Sequence, residues 1–271
     1  MLPVIEGDLI TVDTLRADFQ SLGVHAGMTL LLHSSMKSLG GWVCGGPVAV
    51  IHALESLLET SGTLVMPTHS GDLSDPAGWQ YPPVQASWWD TIRATMPAYE
   101  PDLTPTSGMG SIPECFRKQQ GVRRSSHPQV SFAAWGAHRD TIIGDHSLAY
   151  GLGEASPLAR VYDQNGWILL LGVGNRNNTS LHLAEYRAAY AGKRGRVNAA
   201  PIFQDGQRVW VEFEDIDYDS DDFELLGEDF LMETSDVRIG YVAKARAMMI
   251  PQRAIVDYAV EWMMRNRKAS V

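Results

Sequence analysis

The run Met28-Thr29-Leu30-Leu31-Leu32-His33, answered further along by Thr63-Leu64-Val65-Met66-Pro67, decides the fold class of this chain. Both runs are strand-length and largely apolar, so each reads as a buried strand. Between them Pro47 opens a segment in which Val50, Leu54, Leu57 and Leu58 recur at helical spacing, with Gly62 read as its stop. Strand, helix, strand in that order is a βαβ unit and predicts a largely parallel sheet at this point.

Outward from this unit, Trp167-Ile168-Leu169-Leu170-Leu171-Gly172 reads as another buried strand and Ser131-Phe132-Ala133-Ala134-Trp135 as a further one. Val12, Leu15, Phe19 and Leu22 predict a helix stopped by Gly23, and Ser156-Pro157 is an N-cap followed by an N1 proline. Val197 to Phe203 and Val209 to Phe213 read as antiparallel strands joined around Asp205-Gly206. An acidic run from Glu212 to Glu224 reads as mostly solvated loop. A last helix is expected from Pro251, carrying Ile255, Ala259, Trp262 and Met263; like Met248-Met249-Ile250, it serves either the core or a subunit contact. Residues 69–106 look irregular and hold Trp79, Tyr81, Trp88, Trp89 and Tyr99 among prolines, as a lid or a packed cover does. The expected fold is α/β, a mixed, partly parallel central sheet with helices on its faces, in a single domain over residues 1–271.

The chain has 271 residues, 45% hydrophobic and 20% charged, an ordinary globular composition. No apolar run reaches membrane-spanning length, and Met1 to Glu6 lacks the features of a secretory signal. Two cysteines, Cys44 and Cys115, build neither a disulfide framework nor a cysteine zinc site, and a cytoplasmic location is the simplest expectation. The formal net charge of -10 argues against nucleic acid and anionic membrane as partners and favours a cationic small molecule.

Chemistry concentrates in Asn178-Thr179-Ser180-Leu181-His182-Leu183-Ala184-Glu185. Asn178 or Thr179 is a good N-cap, which puts His182 in a first helical turn with Glu185 three residues on and on the same face. A carboxylate that fixes one imidazole nitrogen leaves the other free to take a proton, as a general base requires. The helix dipole disfavours imidazolium there, and Glu185 pulls the other way. The pair lies just past the end of a buried strand, where open α/β sheets place their sites. Taken alone, the spacing also suits a histidine capping its own helix and a solvated glutamate.

Three other segments suit a phosphate-bearing cofactor. His33-Ser34-Ser35 is followed by a glycine-rich stretch ending in Gly45-Gly46 before Pro47, and glycines beside a helix start admit an anion. Thr104-Pro105-Thr106 continues to Glu114 and Arg117, and Arg124-Ser125-Ser126-His127 to Ser131; both offer hydroxyls and arginines. No Walker motif is present, and Gly172-Val173-Gly174 lacks the third glycine of a dinucleotide fingerprint.

Taken in order, these segments resemble the antibiotic N-acetyltransferase family, typified by aminoglycoside 3-N-acetyltransferases, from about residue 10 to the C-terminus. The resemblance implies acetyl-CoA as cosubstrate, no metal, and N-acetylation of an aminoglycoside at the 3-amino group of its 2-deoxystreptamine ring, with antibiotic resistance as the result. It implies His182 as the base, oriented by Glu185, with Thr179 or Thr106 available to the developing oxyanion. His33, Ser34, Ser35, Gly45, Gly46, Thr106, Arg117, Arg124 and Ser131 would line the coenzyme. The signature of the more common acetyltransferase fold is absent. A polycationic acceptor needs carboxylates, for which Asp72, Glu100, Asp102, Glu154 and Asp217 are the candidates. A monomer or homodimer is expected. The nearest alternative is an acetyltransferase of the same fold acting on another amine, such as a biosynthetic intermediate.

Rival classes have weaker support. A metal hydrolase would need grouped ligands, but His33, His127, His146 and His182 are scattered and no HExxH pair exists. A serine hydrolase at Ser34 or Ser35 would show GxSxG, which is missing. A covalent route through Cys44 has no evident adjacent base. Sequestration of the antibiotic without turnover would not need the His182–Glu185 pair.

Overall fold

The computed structural model describes residues 6–268. The strands are β1 (Leu9–Ile10), β2 (Thr29–Ser34), β3 (Trp42–Val43), β4 (Thr63–Pro67), β5 (Arg123–Arg124), β6 (Phe132–Gly136), β7 (Trp167–Leu171), β8 (Gly195–Gln204), β9 (Gln207–Ile216), β10 (Arg238–Val242) and β11 (Ala245–Pro251). The helices are α1 (Val12–Leu22), α2 (Pro47–Leu58), α3 (Trp89–Thr95), α4 (Ser111–Phe116), α5 (Arg139–Ile143), α6 (Pro157–Asp163), α7 (Ser180–Arg187), α8 (Phe223–Glu233) and α9 (Gln252–Asn266).

Seven strands form the central sheet in the order β10-β11-β7-β2-β4-β6-β5. Its middle, β7-β2-β4, is parallel, and the flanking strands pair antiparallel, so the sheet is mixed as expected. Side chains alternate across it with the two-residue period of a strand. Leu30, Leu32, Leu64, Met66, Leu169 and Leu171 join one core with α1, α2 and α4. Leu31, Val65, Ile168 and Leu170 join the other with α5, α6, α7, α8 and α9. Burial on both faces explains why these strands read as unbroken apolar runs. Met248, Met249 and Ile250 are buried in β11, so they serve the core.

Several boundaries differ from the reading of the sequence. Helix α2 stops at Leu58, where Glu59 takes a positive φ of 56°, ahead of the stop expected at Gly62. Gly62 still closes the turn, its N–H donating to the Leu58 carbonyl at 3.0 Å. A Cβ there would lie 2.5 Å from that carbonyl oxygen, so the position needs glycine for close approach. Residues 69–106 are not wholly irregular but contain α3, which Asp75 anchors through Arg93 at 2.8 Å. Pro251 ends β11, and α9 begins one residue later. The expected hairpin is present and longer than expected: β8 and β9 pair over their full length, and positive φ at both Asp205 (50°) and Gly206 (74°) supplies the tight turn.

This topology positions the site. The chain leaves β2 through α2 to reach β4 on one side, then returns through α6 to β7 on the other. The helices lie on opposite faces, so a crevice opens at the carboxyl end of β2, a topological switch point.

Candidate active site

Two strand ends and one helix start meet in this crevice. His33 and Ser34 finish β2, paired with Leu170 and Leu171 of β7. After β7 the chain turns at Gly172, at φ 66°, where a Cβ would fall 2.3 Å from Ser38 Cβ. That close approach carries the Ser38 Oγ–H bond to the Gly172 carbonyl, 2.9 Å, and ties the two loops together.

Asn178 caps α7. Its Oδ1 accepts from Ser180 N–H at 3.2 Å, and its amide donates to buried Asn175 Oδ1 at 3.2 Å. Thr179 is therefore released from capping, and its hydroxyl instead lies 3.4 Å from His33 Nε2.

One turn on, His182 Nδ1–H donates to Glu185 Oε2 at 2.5 Å. Glu185 is fully buried, while the His182 side chain keeps 14% of its surface open. Among the described residues nothing bonds His182 Nε2. The rings of Tyr218 and Phe223 flank the imidazole, each centroid 4.9 Å away. The other Glu185 oxygen accepts from the Asp219 N–H at 2.9 Å and from Arg267 at 2.5 Å. The acidic run is thus only partly a solvated loop. Asp217 and Asp219 are exposed, but Asp215 is buried, and Tyr218, Asp219 and Phe223 meet the dyad.

The site is rich in neutral histidine. Burial, with His182 nearby, holds His33 down to about 3. Burial and four histidine neighbours, His182 first, do the same to His69, at about 3. Burial also lowers His127 to about 3 and His146 to about 4. Each of the last two is locked in one tautomer: His127 Nδ1 accepts from the N–H groups of Gln129 and Val130, and His146 Nε2–H donates to Gly151.

The expected coenzyme residues divide into two groups. His33, Ser34 and Thr179 line a small cavity of about 90 Å³ with Gly108, Met109 and Val173. Ser34 Oγ is buried there with no hydrogen-bond partner among the described residues. Ser35 caps a short turn with its backbone, and its N–H donates to the Leu171 carbonyl. Gly46 caps α2, and a Cβ at that position meets nothing within 4 Å, so the helix start is open to an anion. Gly45 precedes it at φ 90°.

Thr106, Arg117, Arg124 and Ser131 form the second group, and their polar atoms bond within the protein. Arg117 forks onto Glu114 with two bonds of 2.8 Å and donates to the Asp102 carbonyl. Thr106 donates to the same Glu114 through N–H and hydroxyl, both at 2.9 Å. Burial pushes the Glu114 carboxyl up, but Arg117, Lys118 and Thr106 outweigh it and hold it far below the usual range. Arg124 is buried without a carboxylate: it donates to Thr68, Ser70, Ser131 and the carbonyls of Pro101 and Thr104, and lies over the Tyr99 ring. Ser131 is fully buried and donates to the Thr68 carbonyl.

The candidate acceptor carboxylates do not converge on one place. Glu100 and Asp102 border a cleft of about 460 Å³, together with His127, His146 and Phe203. Asp72 lines a separate hollow with Trp79 and Tyr81, and Asp217 another with Asp219, Asp222 and Arg267. Glu154 is exposed and pairs with Arg187 at 2.7 and 3.0 Å. Among the described residues no group of three or more His, Cys, Asp or Glu is arranged to hold a metal ion. No helix there is long and apolar enough to cross a membrane.

Arg267, Tyr218 and Phe223 were not legible as site residues. They come from a tail and an acidic loop, and no spacing links them to His182. The composition shift at residues 212–224 was the one available signal.

Comparison with known proteins agrees with the geometry. The family profile described as aminoglycoside 3-N-acetyltransferase matches residues 31–264. The SPbeta prophage-derived aminoglycoside N(3')-acetyltransferase-like protein YokD of Bacillus subtilis (strain 168) is 42% identical, over 96% of this chain and 95% of its own. The crystal structure of YokD superposes with a TM-score of 0.93 over the same shares. Aminoglycoside N(3)-acetyltransferase VII of Streptomyces paromomycinus is 35% identical, over 94% of this chain and 91% of its own. Among other solved structures, AAC-IIIb binary with CoASH is 27% identical with a TM-score of 0.85, covering 97% of this chain and all, 100%, of that one. AAC-VIa bound to sisomicin is 29% identical with a TM-score of 0.87, again over 97% and 100%. With the match extending through both halves of the sheet and the dyad between them, the chain belongs to the aminoglycoside 3-N-acetyltransferase family and is an acyltransferase of that kind.

Proposed function

We propose that this protein acetylates an aminoglycoside, using acetyl-CoA, at the 3-amino group of the 2-deoxystreptamine ring, and thereby confers antibiotic resistance in the cytoplasm. It acts as one domain, as a monomer or homodimer, without metal, membrane or nucleic acid. The observation that carries the reading is the His182 Nδ1–Glu185 bond of 2.5 Å, which leaves Nε2 without a protein partner among the described residues, on the helix whose start brings Thr179 to the cavity of His33 and Ser34.

When bound, acetyl-CoA supplies an activated acyl carbon. The residues do the rest. Ser34 Oγ and the open α2 N-terminus at Gly46 fit its polar groups. His182 Nε2 takes a proton from the acceptor amine as the amine bonds to the acyl carbon, Glu185 stabilises the imidazolium that forms, and the imidazolium returns that proton to the CoA thiolate that leaves as the C–S bond breaks. The Thr179 hydroxyl donates to the carbonyl oxygen as charge builds there. Glu100 and Asp102, beside the larger cleft, attract the remaining ammonium groups of a polycation. The relative bound to sisomicin supports this acceptor class, and the one bound to CoASH supports the donor.

The test is thiol release from acetyl-CoA against a panel of aminoglycosides and simpler amines, with NMR mapping of the product. Release with 2-deoxystreptamine antibiotics and loss of at least about a hundredfold in kcat for His182→Ala are expected. Turnover confined to other amines would replace the acceptor, and a fully active His182→Ala would remove the base.

A further inference from the structure

Beyond α9 the chain turns back onto the dyad. Both oxygens of buried Glu185 are committed, one to His182 and the other to Arg267 Nη1 at 2.5 Å and the Asp219 N–H at 2.9 Å. Arg267 is 10% exposed and is itself fixed. Its Nε and Nη2 fork onto Asp222 at 2.8 and 2.6 Å, and Nη2 also reaches the Asp219 carbonyl at 2.7 Å. Its guanidinium carbon lies 4.9 Å from the Tyr190 ring centroid and 5.8 Å from that of Phe223. Three kinds of contact thus aim one planar cation at the carboxylate behind the imidazole. Lysine has no such fork.

We propose that Arg267 is a positioning residue for the general base: by holding the distal oxygen of Glu185 it fixes the carboxylate's rotation and offsets part of its charge, so that His182 rests ready to accept a proton. This proposal rests on the reading of His182 as that base.

The charge balance supports it. Without Arg267, Glu185 and Asp222 would set two negative charges behind the imidazole. With Arg267 between them one net negative charge is left beside the imidazole, and none once it has taken a proton. The proton taken during attack is therefore met by one residual charge, not two.

The other polar groups around the dyad alter this count little. On α7 itself the partner is Glu185. His33 from β2 and His69 after β4 are neutral in their buried settings. From the acidic loop come the Tyr218 ring, the Asp219 N–H and the exposed Asp217 and Asp219 carboxylates. Lys193 spends its ammonium on the carbonyls of Tyr186 and Ala188.

The experiment compares full-length Arg267→Ala, Arg267→Gln and Arg267→Lys across mildly acid to alkaline pH, with Asp222→Asn as a countercheck. Removing the cation should move the acid limb of kcat/KM to higher pH, with a loss of about tenfold at the acid end and KM for acetyl-CoA unchanged. Millimolar guanidinium should restore Arg267→Ala, and Arg267→Lys should recover in part. Asp222→Asn should move the limb the opposite way, which loosened packing cannot do for both variants. A loss uniform in pH, without guanidinium rescue, would make Arg267 a mere anchor of the tail and overturn the proposal. The His182 Nδ1 proton resonance provides a readout independent of turnover: it should shift in Arg267→Gln, and an unchanged resonance overturns the proposal. An active His182→Ala would sink the base reading alone, leaving that resonance to report the grip on Glu185.

Discussion

The Thr179 hydroxyl and His33 Nε2 lie 3.4 Å apart, and neither side chain bonds any other group among the described residues. The contact joins the end of β2 to the start of α7 across the crevice. It exists because Asn178 takes over the capping that Thr179 would otherwise supply. Buried His33 is neutral, so its Nε2–H can donate to the Thr179 oxygen and leave the hydroxyl proton free to point into the cavity.

Thr179→Val removes this donor at nearly constant volume. Loss of one oxyanion donor costs a hundredfold or more, so kcat should fall about a hundredfold while KM for acetyl-CoA holds. Thr179→Ser should retain most of the rate. Steady-state kinetics of the two variants decide it: equal rates for valine and threonine would release Thr179 from any part in the chemistry.

Glu185→Gln and His182→Ala separate rate from stability. Glu185 is fully buried between an imidazole and a guanidinium, and its neutral isostere leaves Asp222 alone to answer the charge of Arg267. Loss of such a charge-assisted bond costs about 1.5–3 kcal/mol. Glu185→Gln should therefore lose both activity and several degrees of Tm, whereas His182→Ala, which spares the pair of Glu185 with Arg267, should lose activity with a smaller fall in Tm. A Glu185→Gln protein as stable as the parent would show that the pair with Arg267 is solvated in solution.

The difference between these residues also marks how far a sequence reading reaches. Strands β2, β4 and β7 were legible because burial on both faces leaves unbroken apolar runs, and His182–Glu185 because one helical turn brings them together. Arg267 lies 82 positions from Glu185, and no local period encodes that contact. Arginine and hydroxyl groups in Arg124-Ser125 and Ser131 suggested phosphate binding by composition alone. The same donors serve equally well to satisfy backbone carbonyls around an interior loop, and only tertiary packing shows which use prevails. In Thr179 the ambiguity was local: two adjacent cap residues competed, and the backbone chose Asn178.

Arg124→Met tests this distinction. Arg124 donates to three carbonyls and three hydroxyls, and its removal strips the carbonyls of Pro101 and Thr104 of this donor, while that of Thr68 keeps the Ser131 hydroxyl. Each unsatisfied buried acceptor costs about 1–3 kcal/mol, so the variant should lose much of its stability. Any folded fraction should keep KM for acetyl-CoA within about threefold, since a change below roughly 1 kcal/mol is what a group away from the ligand produces. Normal Tm with a large rise in that KM would return Arg124 to the coenzyme site.

The buried histidines make stability fall toward acid before most carboxylates titrate. His33, His69 and His127 are held at about 3 and His146 at about 4, against an ordinary value of 6.5, and burial is the leading cause in each. The unfolded chain protonates these rings below 6.5 while the folded protein does not, so unfolding takes up protons. Their contribution is complete above pH 6.5 and is lost as pH falls toward 4 and then 3. Each ring steepens the slope by at most about 1.4 kcal/mol per pH unit. Urea unfolding followed at a series of pH values should show the fall beginning just below neutrality. His146→Asn removes one titrating ring, so it should flatten the slope by about one proton, whatever it does to absolute stability. A stability curve level between pH 6.5 and 4 would mean that these rings are hydrated in solution and share the proton uptake of the unfolded chain.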